Sequence, residues 1–171
     1  RAAIEAARSG AKTAIITKSL LGKAHTVMAE GGCAAALQNA DPRDGWKVHF
    51  HDTMKGSKWL ANWQMAEYHA KEAPDRVREL EQWGAVFDRT NKNLINQRNF
   101  GGHTFPRLAH VGDATGLEII RTLQERGIHE GIDIFMEYTV RHLLKEGDRV
   151  TGCVGCTRVD GDFHAFSAKS I

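Results

Sequence analysis

The stretch Arg1–Thr17, RAAIEAARSGAKTAIIT, decides the fold class of this chain. Its alanine-rich first part predicts a helix over Ala2–Ser9, with Gly10 as the turn that ends it. Lys12–Thr17 then predicts a strand, because its apolar centre is flanked by polar residues. A helix that leads directly into such a strand is the second half of a βαβ nucleotide-binding unit, where ligands lie beyond the carboxyl ends of parallel strands. We therefore expect an α/β fold with functional residues after the strand.

The middle of the chain has mainly helical patterns. Gly31–Leu37 predicts the start of a helix of small residues. Trp46–Trp83 has apolar residues at helical spacing, and Pro74 is expected in the first turn of a separate second helix, where proline is tolerated. Ala85–Phe87 predicts a short strand. The long polar stretch Asp88–Val111 is expected to be a loop, longer than connections usually are without a function.

The last third predicts a helix, a strand and a meander. The helix is expected over Asp113–Arg126, with Asp113 or Thr115 as its N-cap and Gly127 as its end. Ile132–Met136 predicts a strand. Glycine- and aspartate-containing turns then separate three extended segments, a pattern typical of antiparallel hairpins. These segments are Tyr138–Lys145, Arg149–Val159 and Asp162–Ile171.

The composition excludes several classes of protein. The 171 residues carry a net charge of +2, and no block of Lys and Arg resembles a nucleic-acid footprint. No apolar run approaches the roughly 20 residues that a membrane helix needs. Three cysteines do not make a disulfide framework, which favours a reducing compartment. Cys153 and Cys156 lie on a predicted strand and point to opposite faces, which argues against a redox or zinc pair.

Glycine pairs and one histidine are the candidate ligand contacts. Gly31-Gly32 and Gly101-Gly102 lie in long loops, and adjacent glycines allow backbone N–H groups to approach a ligand, although most such pairs are simple turns. None of the nine histidines has the spacing of a zinc site, so no metal is expected. His25 follows the first strand and is followed by a glycine pair, and a structural role and a cofactor contact are both open for it.

An ordered set of motifs covers the whole chain. They are Thr17–Ser19, His25–Gly32, Asn39–Asp44, Ala66–Pro74, Glu79–Ala85 and Gln97–His103. Together they resemble the flavoprotein subunit of succinate dehydrogenase and fumarate reductase. The resemblance implies an incomplete Rossmann-like FAD-binding domain over residues 1–171, with a helical insertion and an antiparallel β-meander. The first strand, the Gly-rich phosphate loop, the capping domain and the C-terminal part of the family are expected outside this sequence.

The same resemblance implies which residues hold the cofactor and substrate. FAD is attached covalently to His25 through the 8α-methyl carbon of the flavin. The residues at the adenosine end are Thr17, Lys18, Ser19, Tyr138, Thr139 and Val140. Those around the isoalloxazine ring are Ala24, Thr26, Val27, Met28, Ala29, Glu30, Gly31, Gly32 and Cys33, with the amides of the glycine pair close to the ring. The dicarboxylate pocket is lined by Phe100, Gly101 and Gly32.

The implied function is the interconversion of succinate and fumarate, with electrons passing to an iron–sulfur subunit. The resemblance also implies a membrane-anchor subunit. It implies that the protein lies peripherally on the cytoplasmic face of the inner or plasma membrane. The catalytic groups are expected outside this sequence, so that the chain alone is inactive. A related FAD-dependent oxidoreductase, of the aspartate oxidase or adenylylsulfate reductase type, is the alternative, and His25 argues against it. Two departures from the family are Ala114, where arginine is common, and Cys33, where an aliphatic residue is usual.

Overall fold

The computed structural model describes all residues 1–171 and confirms the α/β class. The helices are α1 (Ala2–Arg8), α2 (Trp46–Gly56), α3 (Trp63–Gln82) and α4 (Thr115–His129), with a 3-10 helix at His25–Met28. The strands are β1 (Ala14–Thr17), β2 (Cys33–Ala34), β3 (Gln97–Arg98), β4 (Leu108–Ala109), β5 (Asp133–Met136), β6 (Tyr138–Glu146), β7 (Arg149–Thr157) and β8 (Phe163–Ser167). None of the helices combines the length and the apolar character needed to cross a bilayer.

The chain forms two compact units. Unit 1 consists of Arg1–Lys23 and Gln124–Ile171, and unit 2 of Ala24–Leu123. In unit 1, β1 and β5 pair in parallel, with Ala14 opposite Asp133 and Thr17 opposite Met136. This pairing confirms that the opening helix–strand stretch belongs to a parallel sheet.

The predicted meander is confirmed in unit 1. Strands β6, β7 and β8 form an antiparallel sheet in that order. Aromatic rings join it to β5, because the ring of Phe135 meets that of Phe166 edge-on at 4.9 Å between centroids. Cys153 and Cys156 both lie on β7, which confirms the predicted strand at this place.

Unit 2 contains a small antiparallel sheet in the order β2-β4-β3. Its core holds Phe87 and Val77, both nearly inaccessible to solvent, together with small residues such as Ala35 and Ala109. The predicted helix start at Gly31–Leu37 is wrong, because this segment is extended and pairs with β4 instead. Burial of the segment in the sheet outweighs the helix propensity of its alanines.

The helical region divides at a different place from the one predicted. α2 ends at Gly56 and α3 begins at Trp63, where the side chain of Asn62 accepts a hydrogen bond from the Met65 amide. Pro74 lies inside α3, so the expected helix boundary at this proline is wrong. The buried face of α3 runs without interruption through the proline, and its packing offsets the lost backbone hydrogen bond. That face consists of Ala66, Ala70, Ala73 and Val77.

Two further boundaries differ from expectation. The predicted strand at Ala85–Phe87 is wrong, since this segment pairs with no other strand. The side chains of Ala85 and Phe87 are apolar because they pack into the core of unit 2. α4 passes through Gly127 and ends at His129, and the left-handed residue that follows is Gly131, with φ 71°. A second glycine four residues further on therefore ends the helix, as glycine commonly does just past a C-terminus.

Candidate functional site

The predicted flavin-linked histidine lies in an exposed 3-10 helix in unit 2. His25 is its first residue, and none of the four residues of this helix is buried. Ala24 before it and Ala29 after it are both extended. The imidazole of His25 is exposed and thus accessible to a ligand.

The first turn of α4 packs directly against this 3-10 helix. The amide of Gly116 donates to the carbonyl of Ala29 at 2.8 Å. A Cβ atom added to Gly116 would lie only 1.7 Å from the carbonyl oxygen of Thr26. Any residue larger than glycine at this position must therefore displace the backbone of the segment that carries His25.

The glycine pair at 31 and 32 makes the next turn of the chain. Gly32 has φ 126°, and a Cβ atom there would lie 2.9 Å from the carbonyl oxygen of Ala109. The ring of Phe100 lies over Gly31, with its Cε2 atom 3.6 Å from the position of an added Cβ. The structure thus brings together two predicted contacts, Gly31 and Phe100, and explains why glycine occupies position 32.

Arg98 holds this turn from one side. Its Nε atom donates to the carbonyl of Gly31 at 2.7 Å, and Nη2 donates to the carbonyl of Glu30 at 2.5 Å. Its Nη1 atom pairs with Asp113, just before α4, at 3.1 Å. The side chain of Arg98 therefore links β3, the glycine turn and the approach to α4.

A second arginine, Arg107, is fully buried between two carboxylates. Its Nε and Nη2 atoms donate to Asp44 at 3.1 and 2.7 Å, and Nη1 contacts Asp52 at 2.9 Å. Asp52 also accepts from the amide and hydroxyl of Thr104, at 2.8 and 2.7 Å. This cluster, Asp44, Asp52, Thr104 and Arg107, ties α2 to the segment after the Gly101-Gly102 pair.

Two histidines beside the cluster are held neutral near pH 7. Burial, followed by the nearby Arg107 guanidinium, lowers the pKa of His49 to about 4. Burial and Arg107 likewise lower the pKa of His103. Burial works to raise the pKa of Asp52, but the Thr104 hydrogen bonds and Arg107 outweigh it, so the pKa lies below its ordinary value. The charged core of this region is therefore the arginine with its two carboxylates.

The predicted substrate contacts are only partly assembled in unit 2. Phe100 is 56% exposed, and Gly101 has open space around its Cα atom. A cavity of about 340 Å³ lies next to them, but neither residue lines it. Its walls are Asp52, Lys55, Gly56, Lys58, Gly102, His103 and Thr104.

The residues predicted at the adenosine end lie together in unit 1. Thr17, at the carboxyl end of β1, is opposite Met136 at the carboxyl end of β5. The carbonyl of Ser19 then accepts from the amide of Glu137 at 3.4 Å. Glu137 has φ 61°, which is uncommon outside glycine, and it directly precedes Tyr138. The two strand ends thus bring the segment 17–19 beside the start of β6.

Strand β6 offers backbone groups at this place. Tyr138, Thr139 and Val140 pair with Thr157, Cys156 and Gly155 on β7 only, since β6 is an edge strand. Alternate N–H and C=O groups of an edge strand point away from the sheet. Such groups are what the predicted backbone contacts with adenine require.

Comparison with known families decides the classification. The FAD binding domain family matches residues 1–171, which is the entire chain. The chain belongs to this family. The expected FAD-binding fold is thereby confirmed, and the exposed His25 helix and the glycine turn lie in an FAD binding domain.

This FAD binding domain is similar to subunits of two kinds of enzyme along its whole length. The succinate dehydrogenase flavoprotein subunit of Rickettsia conorii is 38% identical over 100% of the chain and 30% of that relative. A fumarate reductase (CoM/CoB) subunit of Methanothermobacter marburgensis is 40% identical over 99% of the chain and 31% of that relative. The Mycobacterium smegmatis Sdh1 complex, solved in the apo form and with UQ1, has a TM-score of 0.92 at 53% identity, over 97% of the chain and 30% of that structure's chain. The domain therefore spans about a third of the length of these relatives.

Three residues that hold the site together were not predicted from the sequence. Arg98 and Arg107 have no distinctive spacing to their carbonyl and carboxylate partners, which lie 15 to 68 positions away along the chain. Gly116 carried a weak signal, because glycine in the first turn of a helix is unfavourable unless another segment approaches closely. Cys33 was expected beside the flavin, and in the structure it packs against the core cluster of unit 2, where burial raises the pKa of its thiol.

Proposed function

We propose that this chain is part of the FAD domain of a flavoprotein subunit that interconverts succinate and fumarate, with FAD linked covalently to His25. The observation that carries the proposal is the exposed His25 imidazole on a 3-10 helix that is followed by a fixed glycine turn. Relatives from succinate dehydrogenase and fumarate reductase support it, since they match the whole chain.

The residues present suit a flavin at this place. His25 supplies a ring nitrogen for the bond to the 8α-methyl carbon, and its exposure leaves room for the isoalloxazine ring. Gly31 and Gly32 permit close approach of the backbone, as a planar ring requires. The remaining ring contacts that we propose are Ala24, Thr26, Val27, Met28, Ala29, Glu30 and Cys33. When bound, FAD supplies the two-electron chemistry, and the protein supplies binding, orientation and electrostatics.

The adenosine end of FAD is assigned to unit 1. Thr17 is the last residue of β1, and Lys18 and Ser19 follow it. Tyr138, Thr139 and Val140 begin β6, and the hydrogen bond between the Ser19 carbonyl and the Glu137 amide brings the two segments together. Lys18 stands where nucleotide-binding folds often carry an acidic ribose ligand. We propose that backbone groups of the β6 edge contact the adenine.

The substrate is a dicarboxylate that reacts beside the flavin. Phe100, Gly101 and Gly32 are proposed to line its pocket, and the contact of the Phe100 ring with Gly31 places an apolar wall at the turn. The charged groups that bind the carboxylates and move the proton are assigned to parts of the flavoprotein beyond this sequence. This 171-residue chain is accordingly proposed to be inactive alone.

Partner subunits carry the electrons away from the flavin. The relatives are subunits of succinate dehydrogenase or fumarate reductase, and the Sdh1 complex of M. smegmatis has been solved with UQ1. We propose an iron–sulfur subunit as the immediate electron acceptor and a membrane-anchor subunit that holds the complex at the cytoplasmic face of the inner or plasma membrane. The flavoprotein is then peripheral to the membrane.

The experiment that tests the proposal measures covalent flavin in the intact flavoprotein subunit. After denaturing electrophoresis, the wild-type band is expected to fluoresce and the band of the His25→Ser variant is expected to be dark. The matched control is His142→Ser, which replaces an exposed histidine on β6 and should leave the band fluorescent. A dark wild-type band from a folded, yellow protein would instead favour a relative with noncovalent FAD, such as an aspartate oxidase or adenylylsulfate reductase. Succinate oxidation with a dye acceptor then tests the substrate.

A further inference from the structure

We infer that Arg98 is a positioning residue that aims the backbone amides of Gly31 and Gly32 at the bound flavin. The inference rests on the proposed function only for the identity of the ligand. Its physical basis is the pair of carbonyl groups that the guanidinium holds. The Nε–Gly31 and Nη2–Glu30 hydrogen bonds are 2.7 and 2.5 Å long, and both are strengthened by the charge of the guanidinium donor.

Because the peptide group is planar, the two hydrogen bonds of Arg98 also fix the directions of the Gly31 and Gly32 N–H groups. All peptide bonds of the chain are trans. In a trans peptide the C=O and N–H bonds are nearly antiparallel within one plane. Since the carbonyl of Glu30 points to Arg98, the amide of Gly31 points away from it. The carbonyl of Gly31 fixes the amide of Gly32 in the same way.

The two amides consequently form a donor pair on the side of the turn opposite Arg98. Neither amide donates to another backbone group of the chain. An unpaired, half-buried amide is costly unless water or a ligand accepts from it. Two adjacent donors fixed before the ligand binds can stabilise negative charge on an electron-rich edge, as backbone amides do in oxyanion holes.

The arginine is itself held in place, so that it can act as a rigid support. It lies on β3, whose neighbour β4 also pairs with β2 immediately after the turn. Its third contact, to Asp113, is 3.1 Å long, but the Asp113 side chain is 82% exposed. Because an exposed ion pair contributes little, the two carbonyls and the sheet fix the guanidinium, and Asp113 only supports it.

The test compares arginine variants in the intact, FAD-loaded flavoprotein. Arg98→Met removes all donors, whereas Arg98→Lys keeps the charge but loses the planar fork that holds two carbonyls at once. Arg76→Met is the control, because Arg76 is a surface residue of α3 that pairs only with carboxylates. The readouts are hydrogen–deuterium exchange of peptides that contain Gly31 and Gly32, the flavin absorption spectrum, and steady-state kinetics.

For Arg98→Met we expect about tenfold faster hydrogen–deuterium exchange at the glycine turn, whereas exchange in the rest of the protein should not change. The flavin absorption band should also shift. The loss of preorganised donors should lower kcat for succinate by about 100-fold, with a much smaller change in KM. Arg98→Lys should lie between this variant and wild type. If Arg98→Met does not fold, Arg98→Lys decides the matter with the same readouts. Exchange and spectra equal to those of Arg76→Met would overturn the inference, whether or not the wild type oxidises succinate.

Discussion

Gly116→Ala is the substitution whose effect the structure predicts most sharply. The added methyl carbon would lie 1.7 Å from the carbonyl oxygen of Thr26 and 2.9 Å from the amide nitrogen of Ala29. Real Cβ atoms essentially never approach closer than 3.0 Å to another heavy atom. The obstacles are backbone atoms of the segment that carries His25, and backbone cannot rotate away as a flexible side chain can. The 3-10 helix must therefore move relative to α4.

The cost follows from the same contacts. Overpacking in a well-packed region costs about 1–3 kcal/mol, and the displaced segment also loses the Gly116–Ala29 hydrogen bond, worth about 1 kcal/mol. Helix propensity acts in the opposite direction, since alanine in place of glycine gains about 1 kcal/mol. We expect a net loss of about 2 kcal/mol in the free energy of unfolding. A displaced His25 should in addition reduce the covalent attachment of FAD that we propose for this residue.

The assay is a pair of measurements on the intact flavoprotein, namely the denaturation midpoint and the fraction of covalent flavin on a denaturing gel. Gly127→Ala in the same helix is the matched control, because its Cβ would meet only the Cδ1 atom of Ile132 at 3.8 Å, an ordinary contact. This control should be stabilised slightly by the propensity gain and should keep its covalent flavin. If Gly116→Ala behaved like Gly127→Ala in both measurements, the argument from close backbone approach would be refuted.

Three further predictions concern unit 2. Arg107→Met leaves the carboxylates of Asp44 and Asp52 buried without their partner and should lower the free energy of unfolding by about 3–5 kcal/mol in chemical denaturation; a loss below about 1 kcal/mol would contradict a buried ion cluster. Because the folded pKa of His49 is about 4 against 6.5 in the unfolded chain, the unfolded state binds more protons between these values. Stability should therefore fall by about 3 kcal/mol as the pH drops through this window, and His49→Gln should flatten the profile. Pro74→Ala restores a backbone donor inside α3 and should raise stability by about 1 kcal/mol, measured as the urea midpoint; a lower midpoint would show that the helix needs the proline.

The elements that the sequence predicted well are those whose signal is local. The helix–strand stretch at the start and the three strands of the meander depend on apolar alternation and turn residues within about ten positions. The failures lie where distant packing decides. Gly31–Leu37 has helix-forming alanines, yet β4, more than 70 positions later, draws Cys33–Ala34 into a sheet. Pro74 marks a helix start by local rules, and the buried face of α3 continues past it.

The site shows the same division between local and distant information. His25 and the glycine pairs are assigned roles because the ordered motifs that contain them resemble a known family, whereas the residues alone leave a structural role open for each. Arg98 and Arg107 receive no such assignment, since arginine is common on surfaces and only the fold reveals that one is fully buried and the other holds backbone carbonyls. A residue that acts on the backbone of a distant segment leaves no pattern of its own in a single sequence.

The two glycine pairs illustrate what the structure adds to an identical motif. At Gly31-Gly32, a side chain on Gly32 would run into the Ala109 carbonyl at 2.9 Å, so glycine is required by a neighbouring strand. At Gly101-Gly102, an added Cβ would meet nothing within 4 Å, and only the positive φ of 86° at Gly102 favours glycine. Gly31-Gly32 is thus constrained by packing against β4 and by the hydrogen bonds from Arg98, whereas Gly101-Gly102 borders open space. Substitution of Gly101 by alanine should therefore leave the fold intact and test the proposed dicarboxylate pocket alone, whereas a substitution at Gly32 would also disturb the packing against Ala109.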